Sequence, residues 1–224
     1  MVDDPVSPKR AYVREAGDGT VYCGGTQDAS ALAEAVDLLR QWGMVWLPFR
    51  PEGQVVDMFP SGASLGAECL EMERPCGASD LSRCRESLPR GFQVVRLDRA
   101  LIERSPYFDE TVTRYGSLAD FLDHGFGLGI VHANEVVCAA FADMRIANLR
   151  EIGVRTAPDF RRRGLATAVC AAAIEVCDDQ GCATFWDCAR LNDASVRLAR
   201  RLGFAGERVY RVLGWFEAGQ SRPT

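Results

Sequence analysis

Val154–Thr167 reads VRTAPDFRRRGLAT, and how this stretch folds decides the architecture. Arg150 to Thr156 has the character of a strand, Pro158 ends it, and a long helix is expected from about Arg162 to Gln180. The helix is entered through Arg161-x-x-Gly164-x-Ala166. A helix start leaves about four backbone N–H groups unpaired and carries a partial positive charge. Gly164 and Ala166 keep the turn clear of bulky side chains, so a pyrophosphate can approach the backbone. Arg161, Arg162 and Arg163 add charge-assisted donors around it. The stretch is an anion site by build. Its spacing is neither a Walker loop, which needs Gly-Lys-Ser/Thr, nor a three-glycine dinucleotide fingerprint.

Working outward, Phe92–Leu97 is strand-like, and Asp98 opens a short helix over Arg99–Arg104. A second helical stretch covers Ser117–Asp123. Gly127–His132, the turn Ala133-Asn134 and Glu135–Ala142 form a hairpin pattern. Beyond the long helix come a strand at Ala183–Asp187, a helix at Asp193–Leu202 ended by Gly203, and an alternating strand at Arg208–Leu213. The order β-α-α-β-β-β-α-β-α-β predicts an α/β fold with a mixed central sheet and flanking helices.

A composition shift near Pro89-Arg90-Gly91 marks a boundary. Residues 1–89 hold 8 basic and 14 acidic side chains, and residues 90–224 hold 18 and 17. Upstream, Asp28–Trp42 sets Leu32, Ala35, Val36 and Leu39 on one helical face. Met44–Leu47 is a short strand stopped by Pro48, and 60–67 is a loop. The expected organisation is a smaller α+β region over 1–89, the main α/β domain over 90–217, and a tail over 218–224. Trp215-Phe216 can pack on the core or on a partner such as the second copy of a homodimer, and the sequence leaves both open.

The 224 residues are 47% hydrophobic and 25% charged, as in an ordinary globular protein rather than a disordered one. The longest apolar run, Leu165–Ile174, is about half the ~18 residues a membrane crossing needs. The start, MVDDPVSPKR, has no secretory pattern, so a cytoplasmic protein is expected. Nine cysteines with no CxxC pair, and only His124 and His132 beside them, point to buried small hydrophobes rather than a metal centre. A net charge of −5 argues against broad nucleic-acid binding.

The strand–Arg-x-x-Gly-x-Ala–helix junction resembles the acetyl-CoA loop of the GNAT acetyltransferase superfamily. Asn192, Ser195 and the ending Leu202-Gly203-Phe204 resemble its final helix, so the likeness covers about residues 91–214. Trp186-Asp187-Cys188 with Asn192-Asp-Ala-Ser195 is similar to the zwittermicin-resistance type of branch, which carries an extra N-terminal region. The resemblance implies acetyl-CoA as co-substrate. Backbone groups of Val154 and Thr156 would pair with its pantetheine arm, and those of Arg162, Arg163, Gly164, Leu165, Ala166 and Thr167 would hold its pyrophosphate. Asn192 would bond the pantetheine from the far side, or serve only as a helix cap.

Attack by an amine on a thioester needs a base. Glu151 lies on the strand where the family carries one, but one residue out of position, so that a bulge is needed to turn it inward. Asp187 is a second candidate and His132 a weaker third; each has a plain structural alternative. The family's proton-donating Tyr aligns with Ala199, and Ser195, one turn earlier, is the replacement candidate beside a packing role. The expected function is transfer of acetyl to an amine, favouring a cationic small molecule, by direct attack in a ternary complex. A non-catalytic acyl-CoA-binding or sensing module and acetylation of a protein N-terminus are the alternatives.

Overall fold

The computed structural model describes residues 4–14, 21–25, 47–49, 64–109 and 116–214. The chain divides into two compact units, Met1–Cys69 with Val209–Thr224, and Leu70–Arg208. In the first, strands β1 (Arg10–Arg14) and β2 (Val21–Gly25) pair antiparallel, Arg10 against Gly25. Strand β3 (Leu47–Phe49) pairs with Leu213–Arg211. Pro48 sits inside β3 rather than ending it, because β3 is an edge strand and an edge tolerates a missing N–H. The helix expected at Asp28–Trp42, residues 44–46 and 60–63, Trp215-Phe216 and the tail lie outside the described residues.

The second unit carries a mixed sheet with flanking helices, as the pattern predicts. The strands of that sheet are β4 (Ser64–Arg74), β5 (Gln93–Arg96), β6 (Phe126–His132), β7 (Glu135–Ile146), β8 (Leu149–Thr156), β9 (Ala183–Ala189) and β10 (Ala205–Gly214), in order β10-β4-β9-β8-β7-β6-β5; β4 belongs to this unit from Leu70 on and β10 as far as Arg208. The helices are α1 (Ser82–Glu86), α2 (Arg99–Glu103), α3 (Leu118–His124), α4 (Leu165–Asp179) and α5 (Asp193–Arg201). From β5 onward this is the element order read from the sequence. Ser64–Ala67, expected as loop, begins β4 instead.

Local chemistry sets the ends. Asp98 and Ser117 cap α2 and α3 through Leu101 N and Asp120 N. Ala133 and Asn134 turn the β6–β7 hairpin with φ of 49° and 65°, the geometry a two-residue loop requires. Helix α4 is apolar almost all round, with ten of its fifteen residues buried. It lies in the main core with Leu70, Met72, Ile130, Cys138, Ile152 and Trp186, and α1 crosses it, joined by Arg85–Glu175 at 3.3 Å. Arg74, wholly buried at the end of β4, pairs with Asp178 of α4 at 3.0 Å and donates to Ser79 O at 2.9 Å. Gly77 N donates to the same carboxylate, so 75–81 is strapped over the end of α4.

A second core lies on the sheet's other face, where Leu97, Ile102, Leu118 and Phe121 pack on Ala139 and Phe141. Leu97 presses so close to β6 that a Cβ at Gly129 would meet its Cδ2 at 2.6 Å. Of the eight cysteines whose side chains are described, six are buried, as a small-hydrophobe role requires. Among the described residues no helix is long and apolar enough to cross a membrane.

Candidate active site

Strands β8 and β9 run parallel but pair only from Leu149–Ala183 to Glu151–Phe185. Both continue, β8 to Thr156 and β9 to Ala189, beyond that last pair. Ala157 N donates to Val137 O of β7, while Asn148 O accepts from Ala183 N at the foot of β9. Alternation along β8 therefore turns the backbone groups of Val154 and Thr156 away from β7, toward the splay. Among the described residues no strand pairs with them there; Arg155 donates to Val154 O at 3.4 Å and Arg161 to Thr156 O at 3.2 Å.

The splay ends at the arginine turn. Pro158–Phe160 is a single 3₁₀ turn, and α4 begins at Leu165, three residues later than the sequence pattern suggested. The cause is Gly164, the N-cap, which is left-handed at φ 79° and holds Arg161–Arg163 outside the helix. No side chain caps α4, and its first bond is Ala168 N to Gly164 O. The N–H groups of Leu165, Ala166 and Thr167 therefore have no intrahelical acceptor. Arg161 Nε donates to Thr156 O at 3.2 Å. Arg163 donates to Asp159 O at 3.0 Å and lies over the Phe160 ring at 5.2 Å. Arg162, exposed and at φ 61°, has no such anchor among the described residues.

Side chains of paired residues on neighbouring strands share a face. Glu151 and Phe185 thus point the same way, and Asp187, two residues on, joins them. Both candidate carboxylates stand on the face away from α4, one on each arm of the splay and each half-buried. The bulge lies on β7, between Ala142 and Arg145 opposite Glu151, rather than on β8 itself.

The α4 face carries the other candidates. Trp186, 2% exposed, donates from Nε1 to Ser195 Oγ at 2.9 Å. Asn192 caps α5, its Oδ1 accepting from Ser195 N at 3.2 Å. Ala199, where the sequence pattern lacks a Tyr, is fully buried. His132 is a packing residue: Nδ1 meets Gly91 O at 3.0 Å, and the ring stacks on Phe92 at 4.4 Å. It is not brought to Glu151 or Asp187, which face the splay from β8 and β9.

Sequence reasoning missed two groups at the far end of β8. Cys138 Sγ lies 3.0 Å from Thr156 Oγ1, and burial pushes its thiol up to about 11. Tyr107 reaches Val137 O at 3.5 Å, and burial raises its phenol to about 12. Val137 is the extra residue of a bulge against β6, a register feature with no sequence signature. Among the described residues no three His, Cys, Asp or Glu gather as a metal site.

An uncapped helix start thus stands at the end of a splayed parallel strand pair. A GNAT acetyltransferase family model matches residues 64–213. The chain belongs to the GNAT acetyltransferase family. Members of that family draw their acetyl group from acetyl-CoA. The chain is 31% identical over 127 residues to an uncharacterized N-acetyltransferase, YdfB, of Bacillus subtilis; the match covers 56% of this chain and 49% of that protein. The chain thus spans about half the length of that curated relative. Among solved structures, a GCN5-related N-acetyltransferase-like protein from Streptococcus suis superposes with TM-score 0.69 at 24% identity, covering 96% of this chain and 87% of that one. A GCN5-related N-acetyltransferase from Kribbella flavida gives 0.64 at 15% identity, covering 93% and 90%. These two likenesses are of fold. The GNAT sheet is the one described above.

Proposed function

We propose that the chain is an N-acetyltransferase moving acetyl from acetyl-CoA to the amine of a small molecule, by direct attack in a ternary complex. The observation that carries this is the splay itself, with Glu151 and Asp187 on one face and Ser195 and Asn192 on the other. The N–H groups of Leu165–Thr167, with Arg162, hold the pyrophosphate. Val154 and Thr156 pair with the pantetheine arm, and one of their N–H groups polarises the thioester carbonyl. The amine arrives on the carboxylate face and loses its proton to Glu151 or Asp187. Its nitrogen bonds to the carbonyl carbon, the C–S bond breaks, and the CoA thiolate leaves toward Ser195. That thiolate takes its proton from solvent, directly or relayed through the Ser195 hydroxyl, which regains its own from water. Two carboxylates on the attacking side favour a cationic amine.

A covalent acetyl-cysteine route finds no support at Cys138. With its pKa near 11, only about one molecule in ten thousand carries the thiolate at pH 7. The likeness to the zwittermicin-resistance branch adds to the small-molecule reading. Ala199 in place of the expected Tyr is the observation favouring a second reading, an acyl-CoA-binding module without turnover.

The test is acetyl-CoA binding by calorimetry followed by CoA release with a panel of amines, for the native chain and for Glu151→Gln and Asp187→Asn. We expect binding in all three and a fall in turnover of about 10²–10⁴ in the variant lacking the base. Tight binding with no CoA release from any amine would leave the sensing module. Release unaltered in both variants would remove both carboxylates from the mechanism.

A further inference from the structure

Arg150 stands at the foot of β8, 6% exposed, on the face covered by α4. One guanidinium nitrogen donates to His124 O at 3.2 Å, and the group lies over the Phe126 ring at 5.6 Å. Its Nε is buried without a hydrogen-bond partner. Among the described residues no carboxylate lies within ion-pair distance; of the acids at that end of α4, Glu175 pairs with Arg85, Asp178 is held by Arg74, and Asp179 is exposed. A second cation, Arg96, sits over the same Phe126 ring at 5.4 Å.

Thr184 is the register partner of Arg150 on β9, so the two side chains stand together on the α4 face. Thr184 is wholly buried, and its hydroxyl also has no partner. Cys177 closes the group from α4: burial pushes its thiol up to about 12, and Arg150 is near enough to act against that rise. It therefore remains an S–H donor at neutral pH.

We propose that Arg150, Thr184 and Cys177 form a buried site for a small monovalent anion, a halide of the chloride type. The three offer N–H, O–H and S–H donors, and the one acid that acts on Cys177, Asp178, is itself neutralised by Arg74. A buried cation left unpaired is strongly destabilising, and an anion offsets it where a neutral water would not. Phe126 and the apolar core around Arg150 suit a single monovalent ion better than a multiply charged oxyanion. Arg150 is six residues from Thr156, about 20 Å along β8, so this anion is separate from the cofactor's phosphates.

The experiment is thermal unfolding of the full chain in sodium chloride, sodium bromide and sodium gluconate at one fixed ionic strength. Binding to the native state alone raises the melting temperature, and a saturable rise of about 2–4 °C in the halides over gluconate is expected. Thr184→Val keeps the side-chain shape and should lose most of that rise; Arg150→Met should lose all of it. Crystals grown in bromide should show its anomalous signal beside Arg150 Nε. Coincident melting in halide and gluconate overturns the site, as does a halide response that Thr184→Val leaves whole. A water with no bromide signal at Arg150 would overturn it too. Should Arg150→Met fail to fold, the isosteric Thr184→Val and the bromide signal decide alone.

Discussion

Trp186 Nε1 donates to Ser195 Oγ at 2.9 Å, tying β9 just past the fork to the first turn of α5. The bond takes an acceptor site of the hydroxyl and leaves its hydrogen to be given elsewhere. It also fixes where that hydrogen can point.

Ser195→Ala leaves a buried indole N–H without a partner, which costs about 1–3 kcal/mol, whereas Trp186→Phe removes the donor and costs the packing difference only. Urea unfolding measures this in a double-mutant cycle: Ser195→Ala should cost less in a Trp186→Phe background, where no indole N–H is stranded, than in the native chain. In turnover assays a proton-donating Ser195 predicts a lower kcat for Ser195→Ala with KM for acetyl-CoA unchanged. Unchanged kcat assigns the proton to solvent.

Period and capping made much of the second unit legible. Asp98 and Ser117 announce helix starts, Ala133-Asn134 a tight hairpin, and Gly203, at φ 89°, a helix end. Strand β4 was hidden because its first residues, Ser64-Leu65-Gly66-Ala67, are poor strand formers and one of its inward positions, Arg74, is charged. The sequence puts the start of α4 too early because Arg162 and Arg163 are good helix formers, while the left-handed Arg162 and Gly164 keep them out of the helix. The splay cannot be read at all, since alternation is the same whether or not a strand has a neighbour. Nor could the facing of Glu151 be read, because it follows from pairing register, and the nearby bulge is on β7.

Arg74 and Asp178 form a buried pair whose removal on one side strands a charge. Asp178→Ala leaves the wholly buried guanidinium with only carbonyl acceptors, Ser79 O and Pro75 O, and frees the Gly77 N–H. A loss of about 3–5 kcal/mol in equilibrium unfolding is expected. Arg74→Met should cost less, because Asp178 is 18% exposed and keeps its bond from Gly77. The order of the two midpoints is the check.

Alkaline stability follows from four groups whose protonated forms burial favours: Cys138 at about 11 and Cys177 at about 12 against an ordinary 9.0, Tyr107 at about 12 against 10.0, and Cys170, which burial also pushes up. For each, the native pKa exceeds the unfolded one, so the unfolded chain releases its proton first. The native state then binds more protons, and stability falls as pH rises. The loss begins near pH 9 and continues to about pH 11 for Cys138, at up to about 1.4 kcal/mol per pH unit for one fully shifted group. Denaturant midpoints taken from pH 8 to 11 should therefore decline, and Cys138→Ala should decline less steeply.

Gly164 and the three arginines make the sharpest claim about the cofactor. A Cβ at Gly164 would meet nothing within 4 Å, so Gly164→Ala acts through the backbone alone. Holding alanine at φ 79° costs roughly 1–2 kcal/mol. If the turn relaxes instead, the N–H groups of Leu165–Thr167 lose their aim and acetyl-CoA affinity falls. Arg161 and Arg163 already donate to Thr156 O and Asp159 O, so removing either disturbs the turn as well as the charge. Arg162 has no such duty. Arg162→Ala should therefore leave the melting temperature of the free protein unchanged while weakening acetyl-CoA about tenfold, the worth of one charge-assisted phosphate bond. Arg163→Ala should lower both, because its stacking on Phe160 goes too. Calorimetric titration beside a melting curve separates the two effects. Equal affinity in Arg162→Ala and the native chain would move the phosphate contact to the backbone N–H groups alone.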